Sequence, residues 1–372
     1  MDLSRSGRVV TAIVVLAVAS FVAVGTASPA HADSVRDDAW YLEDLRITEA
    51  HRITKGKGVV VAVVDSGVDP THPDIVGNVL PGVDIFTGEP PARGRDGYTA
   101  YHGTAMAGLI AGHGHGPGRR SGVLGIAPEA KILPVKVTRP EGLSTGREVA
   151  SGIEWALSLG ADVISVSLQT PTETLIDRAV KKAWNMGVPV LGATGNDGPS
   201  GMQFVRGVIP VTAIGSDGGF VEGLQPMWKP IGVAAPGGDI PTAREGGYWT
   251  NTGTSNSAAI AAGVMALIKA RYPDDEIAHT YRRIRVTADD RGVGGDDSEY
   301  GYGVVNPVAA LTEPVPYVSI GASTEPPEPT PSAAARDTSK VPTVVIVGGV
   351  GWLAVLLLGA AVGGVVLRAR RR

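Results

Sequence analysis

Three residues of this chain are of the types that a hydroxyl nucleophile and its partners require, and each stands where a fold could hold it rigidly. Asp65 directly follows the apolar run Val59 to Val64, inside D-S-G-V-D-P-T-H-P-D. A carboxylate at the end of a buried strand can orient a base, although an Asp before Gly also starts ordinary turns. His102, in Y-H-G-T-A-M-A-G-L-I-A-G, opens a helix of small residues able to run close to other backbone. That fixes its ring and makes it the candidate general base. Ser255, in G-T-S-N-S-A-A-I-A-A-G-V-M-A-L-I, starts an Ala-rich helix after a tight Gly253-Thr254 entry. Its hydroxyl then lies at the positive end of a helix dipole, which favours a developing oxyanion, while a plain Ser N-cap reads the same way. Asn196, in V-P-V-L-G-A-T-G-N-D-G, follows a buried strand and offers an amide donor for such an oxyanion; an Asn in a turn is the simpler alternative.

The remaining histidines are less suited. His72 belongs to the turn after Asp65, His31 to the leading segment, and His51 and His279 to polar, helix-like stretches. His113 and His115 alternate with glycines in G-H-G-H-G, where a metal site is conceivable and a solvated loop is the expectation.

Positioning these groups falls to alternating elements. Val59 to Val64, Ile132 to Val137, Val163 to Leu168, Val188 to Ala193 and Ile209 to Ile214 are near-continuous apolar runs, as found in strands covered on both faces. Helix candidates separate them: Thr104 to Ala111, Gly146 to Leu159, Thr172 to Met186 and Ser257 to Arg271. This predicts an α/β fold with a doubly wound parallel sheet, in which functional groups gather at the carboxyl ends of the strands.

Composition narrows the function classes. With 372 residues and no cysteine, a large core needs no disulfides, and thiol enzymes and cysteine-ligated metals are excluded. A net charge of -4 with 5% aromatic residues argues against a nucleic-acid binder. The mean hydropathy of +0.11 is high, and the two ends account for it. Residues 1–32 carry Arg5 and Arg8, an uncharged stretch from Val9 to Ala30, and the small-x-small site Ala30-His31-Ala32. They read as a secretory signal peptide, with an uncleaved anchor as the alternative. Residues 343–367 are 25 uncharged positions, enough for a transmembrane helix, and the tail 368–372 holds four arginines that orient it to the cytoplasm. The outward part, Asp33 to Pro342, then holds 27 basic and 36 acidic side chains, a net -9 that repels anionic membrane and nucleic acid. Residues 312–342, with six prolines from Pro314 to Pro331, read as a linker reaching roughly 30 to 90 Å.

The chain order Asp, His, Ser is the one found in subtilisin. The motifs V-A-V-V-D-S-G-V-D-P-T-H-P-D, H-G-T-A-M-A-G, A-T-G-N-D-G and G-T-S-N-S-A-A, with the closing G-Y-G-V-V-N-P-V-A-A-L, resemble the blocks of the subtilisin-family serine peptidases. The resemblance covers nearly the whole outward domain and implies a subtilisin-like fold in which Asp65, His102 and Ser255 form the triad and Asn196 lines the oxyanion hole. It further implies that Ser167, Leu168 and Gln169, with Ala193, Thr194 and Gly195, bind the substrate, and that no cofactor or metal enters the chemistry. An exported protease domain, a Pro-rich linker, one transmembrane helix and a basic tail, together with W-Y-L-E-D-L-R-I-T-E-A-H from Trp40, resemble the mycosins, membrane-anchored proteases of type VII secretion systems.

That resemblance sets the remaining expectations. Residues 33–57 form an N-terminal extension, too short for a separate inhibitory pro-domain and therefore packed on a peptidase domain spanning 58–311. The protein is a single-pass cell-membrane endopeptidase with its catalytic domain outside, acting on protein or peptide substrates beside type VII membrane components. The alternative is a structural component that stabilises a secretion complex, with proteolysis secondary. Calcium near Asp289, Asp290, Asp296 and Asp297 is possible in principle, and an acidic solvated loop is the simpler expectation. Three positions depart from the family pattern: Asn256 in place of Met or Phe, Ala259 in place of Pro, and Gln169 in place of Gly.

Overall fold

In the computed structural model the described residues are 30–91, 101–139, 142–171, 174–221, 224 and 230–317, with side chains from Ser34 onward. Most of the expected signal segment and linker, the expected span at 343–367 and the tail at 368–372 lie outside the described residues. Among the described residues no helix is long and apolar enough to cross a membrane.

The apolar runs form a seven-stranded sheet that is parallel throughout. Its strands are β1 (Val60–Asp65), β2 (Val83–Asp84), β5 (Lys131–Lys136), β6 (Val163–Val166), β7 (Val190–Ala193), β8 (Val208–Ile214) and β9 (Val233–Pro236), ordered β2-β5-β1-β6-β7-β8-β9. Strand order reverses beside β1, which pairs with β5 on one edge and β6 on the other. A crevice opens at such a reversal, and β1 is the strand that ends in Asp65.

Both faces of the sheet are covered, which explains the unbroken apolar character of the strands. Successive side chains of β1 point to opposite faces: Val61 and Val63 join one core, Ala62 and Val64 the other. The first core receives α4 (Tyr101–Ala111) and α7 (Thr254–Arg271), and α8 (Ile277–Val286) packs beside α7. The second receives α5 (Gly146–Ser158) and α6 (Thr174–Asn185). Every residue of α7 from Thr254 to Ile268 is buried, so this stretch has no solvent face and needs its small, apolar composition on all sides, and only the last turn reaches solvent.

Residues 34–57 lie against the body. After α1 (Ala30–Asp37), the short helices α2 (Tyr41–Asp44) and α3 (Ile47–Ala50) bury Tyr41, Leu45, Ile47 and Ala50 in the first core. Polar ties fix the segment. Trp40 Nε1 donates to the Gly238 carbonyl at 3.1 Å, the Tyr41 hydroxyl to Leu124 O at 3.1 Å, and Arg36 Nε to Gly122 O at 2.8 Å.

One loop differs from expectation, and in the acidic loop, where Asp289, Asp290 and Asp296 are exposed as expected, Asp297 alone is buried. G-H-G-H-G is no solvated loop: β3 (His113–His115) pairs antiparallel with β4 (Ser121–Leu124), and His113 is buried. His115 is held by the buried Asp74, its Nδ1 lying 2.6 Å from Oδ1, and Asp74 Oδ2 accepts the Val123 amide at 2.8 Å. In the acidic loop Asp297 turns inward and its carboxylate accepts the amides of Val293, Glu299 and Tyr300 at 3.0, 2.7 and 2.6 Å. Asp290 accepts Gly295 N, and Asp289 accepts Asn306 Nδ2. Among the described residues no group of three or more His, Asp or Glu side chains is gathered as a metal site.

Candidate active site

Asp65 is the last residue of β1, fully buried, and Ser66 N donates to its Oδ1 at 2.6 Å. His102 is the second residue of α4, and its Nδ1 lies 2.9 and 2.8 Å from the two Asp65 oxygens. A carboxylate accepts only, so Nδ1 carries the proton and Nε2 is left with its lone pair. Burial disfavours the charged ring. The charge of Asp65 and its hydrogen bond outweigh that effect, and the pKa of His102 is raised above its ordinary 6.5.

Glycine at 103 permits this approach. A Cβ there would lie 2.0 Å from the Gly67 carbonyl oxygen, so α4 can start against the turn after Asp65 only without a side chain at that position. Two hydroxyls complete the joint: Ser66 Oγ accepts the Gly103 amide at 3.1 Å, and Thr104 Oγ1 accepts the Asp69 amide at 2.8 Å.

Ser255 occupies the first turn of α7, where amide N–H groups have no carbonyl partner one turn back. The helix begins at Thr254, three residues before the Ser257 expected from the apolar pattern. Ser167 donates its hydroxyl to the Ser255 carbonyl at 3.1 Å, tying the end of β6 to the serine. Asn196 follows β7, and its Oδ1 accepts both the amide and the hydroxyl of Thr254 at 3.0 Å. With Oδ1 committed, Nδ2 is the free donor. The point where a Gly253 Cβ would stand is 3.2 Å from Ser255 Oγ and 3.3 Å from Asn196 Nδ2, so Gly253 keeps the space between them open.

These groups meet in one cleft of about 400 Å³, lined by Asp65, His102, Ser255, Asn196, Ser167, Leu168, Gln169, Ala193 and Gly195 among others. Of the expected substrate-binding set, Thr194 alone is not at the lining. It is buried, with its hydroxyl donating to Val211 O at 3.3 Å in the sheet. Gln169 is exposed on the rim, where its side chain takes space that glycine would leave empty.

Other lining residues escape the sequence pattern: Ser66, Tyr101, Thr138, Arg139, Gly142, Trp249 and Thr254. Ser66 and Thr254 adjoin functional positions, and a short polar neighbour is the signal that points to them. Arg139, after β5, and Trp249, in the hairpin of β10 (Ile240–Arg244) and β11 (Gly247–Asn251), reach the cleft through tertiary approach alone. Asn256 also acquires a role: its Nδ2 donates to the carbonyls of Gly237 and Asn251 at 3.3 and 3.1 Å, joining α7 to that hairpin.

Comparison with known proteins agrees with this geometry. The model of the subtilase family, Peptidase S8, matches residues 56–303. Subtilisin DY of Bacillus licheniformis is 33% identical over 265 residues, 69% of this chain and 92% of the relative. Subtilisin E of Bacillus subtilis strain 168 is 36% identical over 264 residues, 68% of this chain and 66% of the relative. The crystal structure of MycP1 with its N-terminal propeptide removed superimposes with a TM-score of 0.62 at 31% identity, covering 74% of this chain and 98% of that one. With a hydroxyl, an imidazole and a carboxylate converging at the strand ends of a matching fold, the chain belongs to the subtilase family and is a serine endopeptidase.

Proposed function

We propose that Ser255 is the nucleophile of this peptidase, with His102 as its general base, Asp65 as the residue that orients the imidazole, and Asn196 as an oxyanion donor. The observation that carries the assignment is the double approach of Asp65 to His102 Nδ1, in a cleft that also holds Ser255 and the free amide of Asn196. Ser255 Oγ attacks the peptide carbonyl carbon and His102 takes its proton at Nε2. The carbonyl oxygen, now an anion, is received by Asn196 Nδ2 and the Ser255 amide, and His102 returns the proton to the departing amine. A water molecule then hydrolyses the acyl-enzyme by the same steps. Treatment of the full chain in detergent with a fluorophosphonate probe tests the assignment. Labelling of the wild type and none of Ser255→Ala is expected; equal labelling would end it.

The enzyme is further proposed to work outside the cell, tethered to the membrane by residues 343–367 and associated with a type VII secretion apparatus. The supports are the uncharged stretch with its arginine tail, the leading segment ending in Ala30-His31-Ala32, and the likeness to MycP1 at 31% identity. Fractionation tests the tether: the full chain should sediment with membranes and a chain ending at Pro342 should not, and equal sedimentation would refute it.

A further inference from the structure

Arg139 stands on the cleft wall just after β5, in a stretch with no motif that marks a functional residue. Its backbone is pinned in a turn, its amide donating to Leu143 O at 2.9 Å and its carbonyl accepting Gly142 N at 2.9 Å. The side chain is pinned as well. One guanidinium nitrogen, Nη2, donates to Glu148 Oε1, and the group lies over the Phe86 ring, 5.5 Å from its centroid. Glu148 is itself fixed, since its other oxygen accepts the Thr145 amide at 2.7 Å in the capping box of α5. The Arg139 side chain nevertheless remains 56% exposed, against 9% for Glu148, so the acid sits behind and the cation in front.

A guanidinium carries five N–H donors in a planar fork, and a single one is used by Glu148. Among the described residues the others meet no acceptor. The carboxylate on the lining, Asp65, is fully buried and committed to His102, so Glu148 is the acid that meets this guanidinium, at one of its donors. Arg244 adds a second cation near the rim, 5.3 Å from the ring centroid of the lining residue Tyr101. The open edge of the Arg139 guanidinium is thus a positive group facing the cleft, in a body that carries 27 basic against 36 acidic side chains from Asp33 to Pro342. Unused donors of this sign are selective: they offer a negative group a partner on this wall, while the net-acidic surface elsewhere repels it.

We propose that Arg139 sets substrate preference, selecting peptides that carry an acidic side chain among the few residues bound along the cleft. The recognised chemistry is a carboxylate meeting the open edge of a pre-positioned guanidinium, an arrangement that loses little side-chain freedom on binding. The proposal rests on the cleft being the peptide-binding site and not on the roles assigned to Ser255 and His102.

The test uses the full chain in detergent and an internally quenched peptide library with Glu, Gln or Lys at each of four positions on either side of the cleavable bond. At one position or more, kcat/KM for the Glu peptide should exceed that for its Gln isostere by roughly three- to tenfold, the range expected for a partly exposed charge-assisted pair. Arg139→Gln should bring that ratio to about one, and Arg139→Glu should turn the preference toward Lys. In parallel, Ser255→Ala with and without Arg139→Gln is titrated with the same peptides by fluorescence anisotropy, which reads preference without turnover. The Gln-to-Glu ratio of Kd should match the kinetic Glu-to-Gln ratio and shrink toward one with added salt. A ratio of one at every position, a ratio that survives Arg139→Gln, or no binding of either peptide overturns the proposal. Fluorophosphonate labelling of Ser255→Ala equal to that of the wild type, with the binding ratio intact, would instead overturn the Ser255 assignment and leave this one standing.

Discussion

The hydroxyl of Ser167 is bonded to the carbonyl of Ser255 at 3.1 Å, so the strand end that lines the cleft and the helix that carries the serine are held as one piece. Both residues are buried. Ser167→Ala should leave the Ser255 carbonyl short of one partner at a cost of about 1 kcal/mol in stability. Because the lost bond sets the position of Ser255, kcat should fall by roughly tenfold while the melting temperature changes by only a few degrees. Steady-state kinetics and thermal unfolding of the same variant check both.

Asn196 offers Nδ2 because Thr254 occupies Oδ1 twice. Asn196→Ala should lower kcat by roughly 10²- to 10³-fold with KM nearly unchanged, since an oxyanion donor acts in the transition state. Thr254→Val keeps the shape but removes the hydroxyl that meets Asn196 Oδ1 and accepts the Gly195 amide at 3.1 Å. A smaller loss of the same kind, in kcat and not KM, is expected from it.

The raised pKa of His102 gives activity and stability opposite dependences on pH. The protonated ring cannot accept the serine proton, so kcat/KM should fall in acid with a midpoint above 6.5. The stabilisation from the His102–Asp65 pair runs the other way: it is fully present below 6.5 and fades as pH rises through the raised pKa. Asp65→Asn removes the charge that raises this pKa and leaves burial to lower it. Its midpoint should move toward acid, and its kcat should drop by about 10⁴-fold, the loss known for triads of this kind. A pH–rate profile of wild type and variant decides.

Gly103→Ala places a methyl group 2.0 Å from the Gly67 carbonyl oxygen, where backbone must move. Overpacking of this order costs about 1 to 3 kcal/mol, and here the displacement opens the joint between Asp65 and His102. Near-complete loss of fluorophosphonate labelling, with a cooperative unfolding transition still visible, is the expected result.

The sheet and the order of its functional groups were legible because their cause is local. A run such as Val59 to Val64 ending in Asp65 states both burial and the position of the carboxylate in one stretch of sequence. Helix starts were not. α4 begins at Tyr101 and α7 at Thr254, each three residues before the apolar pattern indicates, because the first turns are made of Tyr, His, Gly, Thr, Ser and Asn. Those residues have weak helix propensity and are held in place by tertiary hydrogen bonds. G-H-G-H-G gave the opposite error: its alternation looked solvated, but the next few residues turn back to pair with it as β4, and the buried Asp74 that holds His115 stands 41 positions earlier. The roles of Arg139 and Trp249 are of the same kind, and neither residue's neighbours reveal that it faces the cleft.

The burial of α7 from Thr254 to Ile268 bears on how this enzyme fails. Since α7 is buried from Thr254 to Ile268 and meets solvent only at its last turn, the amides behind Ser255 can exchange with solvent only through openings that also disturb the core packed around them. Loss of activity on heating is therefore tied to the unfolding rate of the whole domain. Residual activity and the folded fraction are then expected to fall together on heating, and measuring both on one sample checks it.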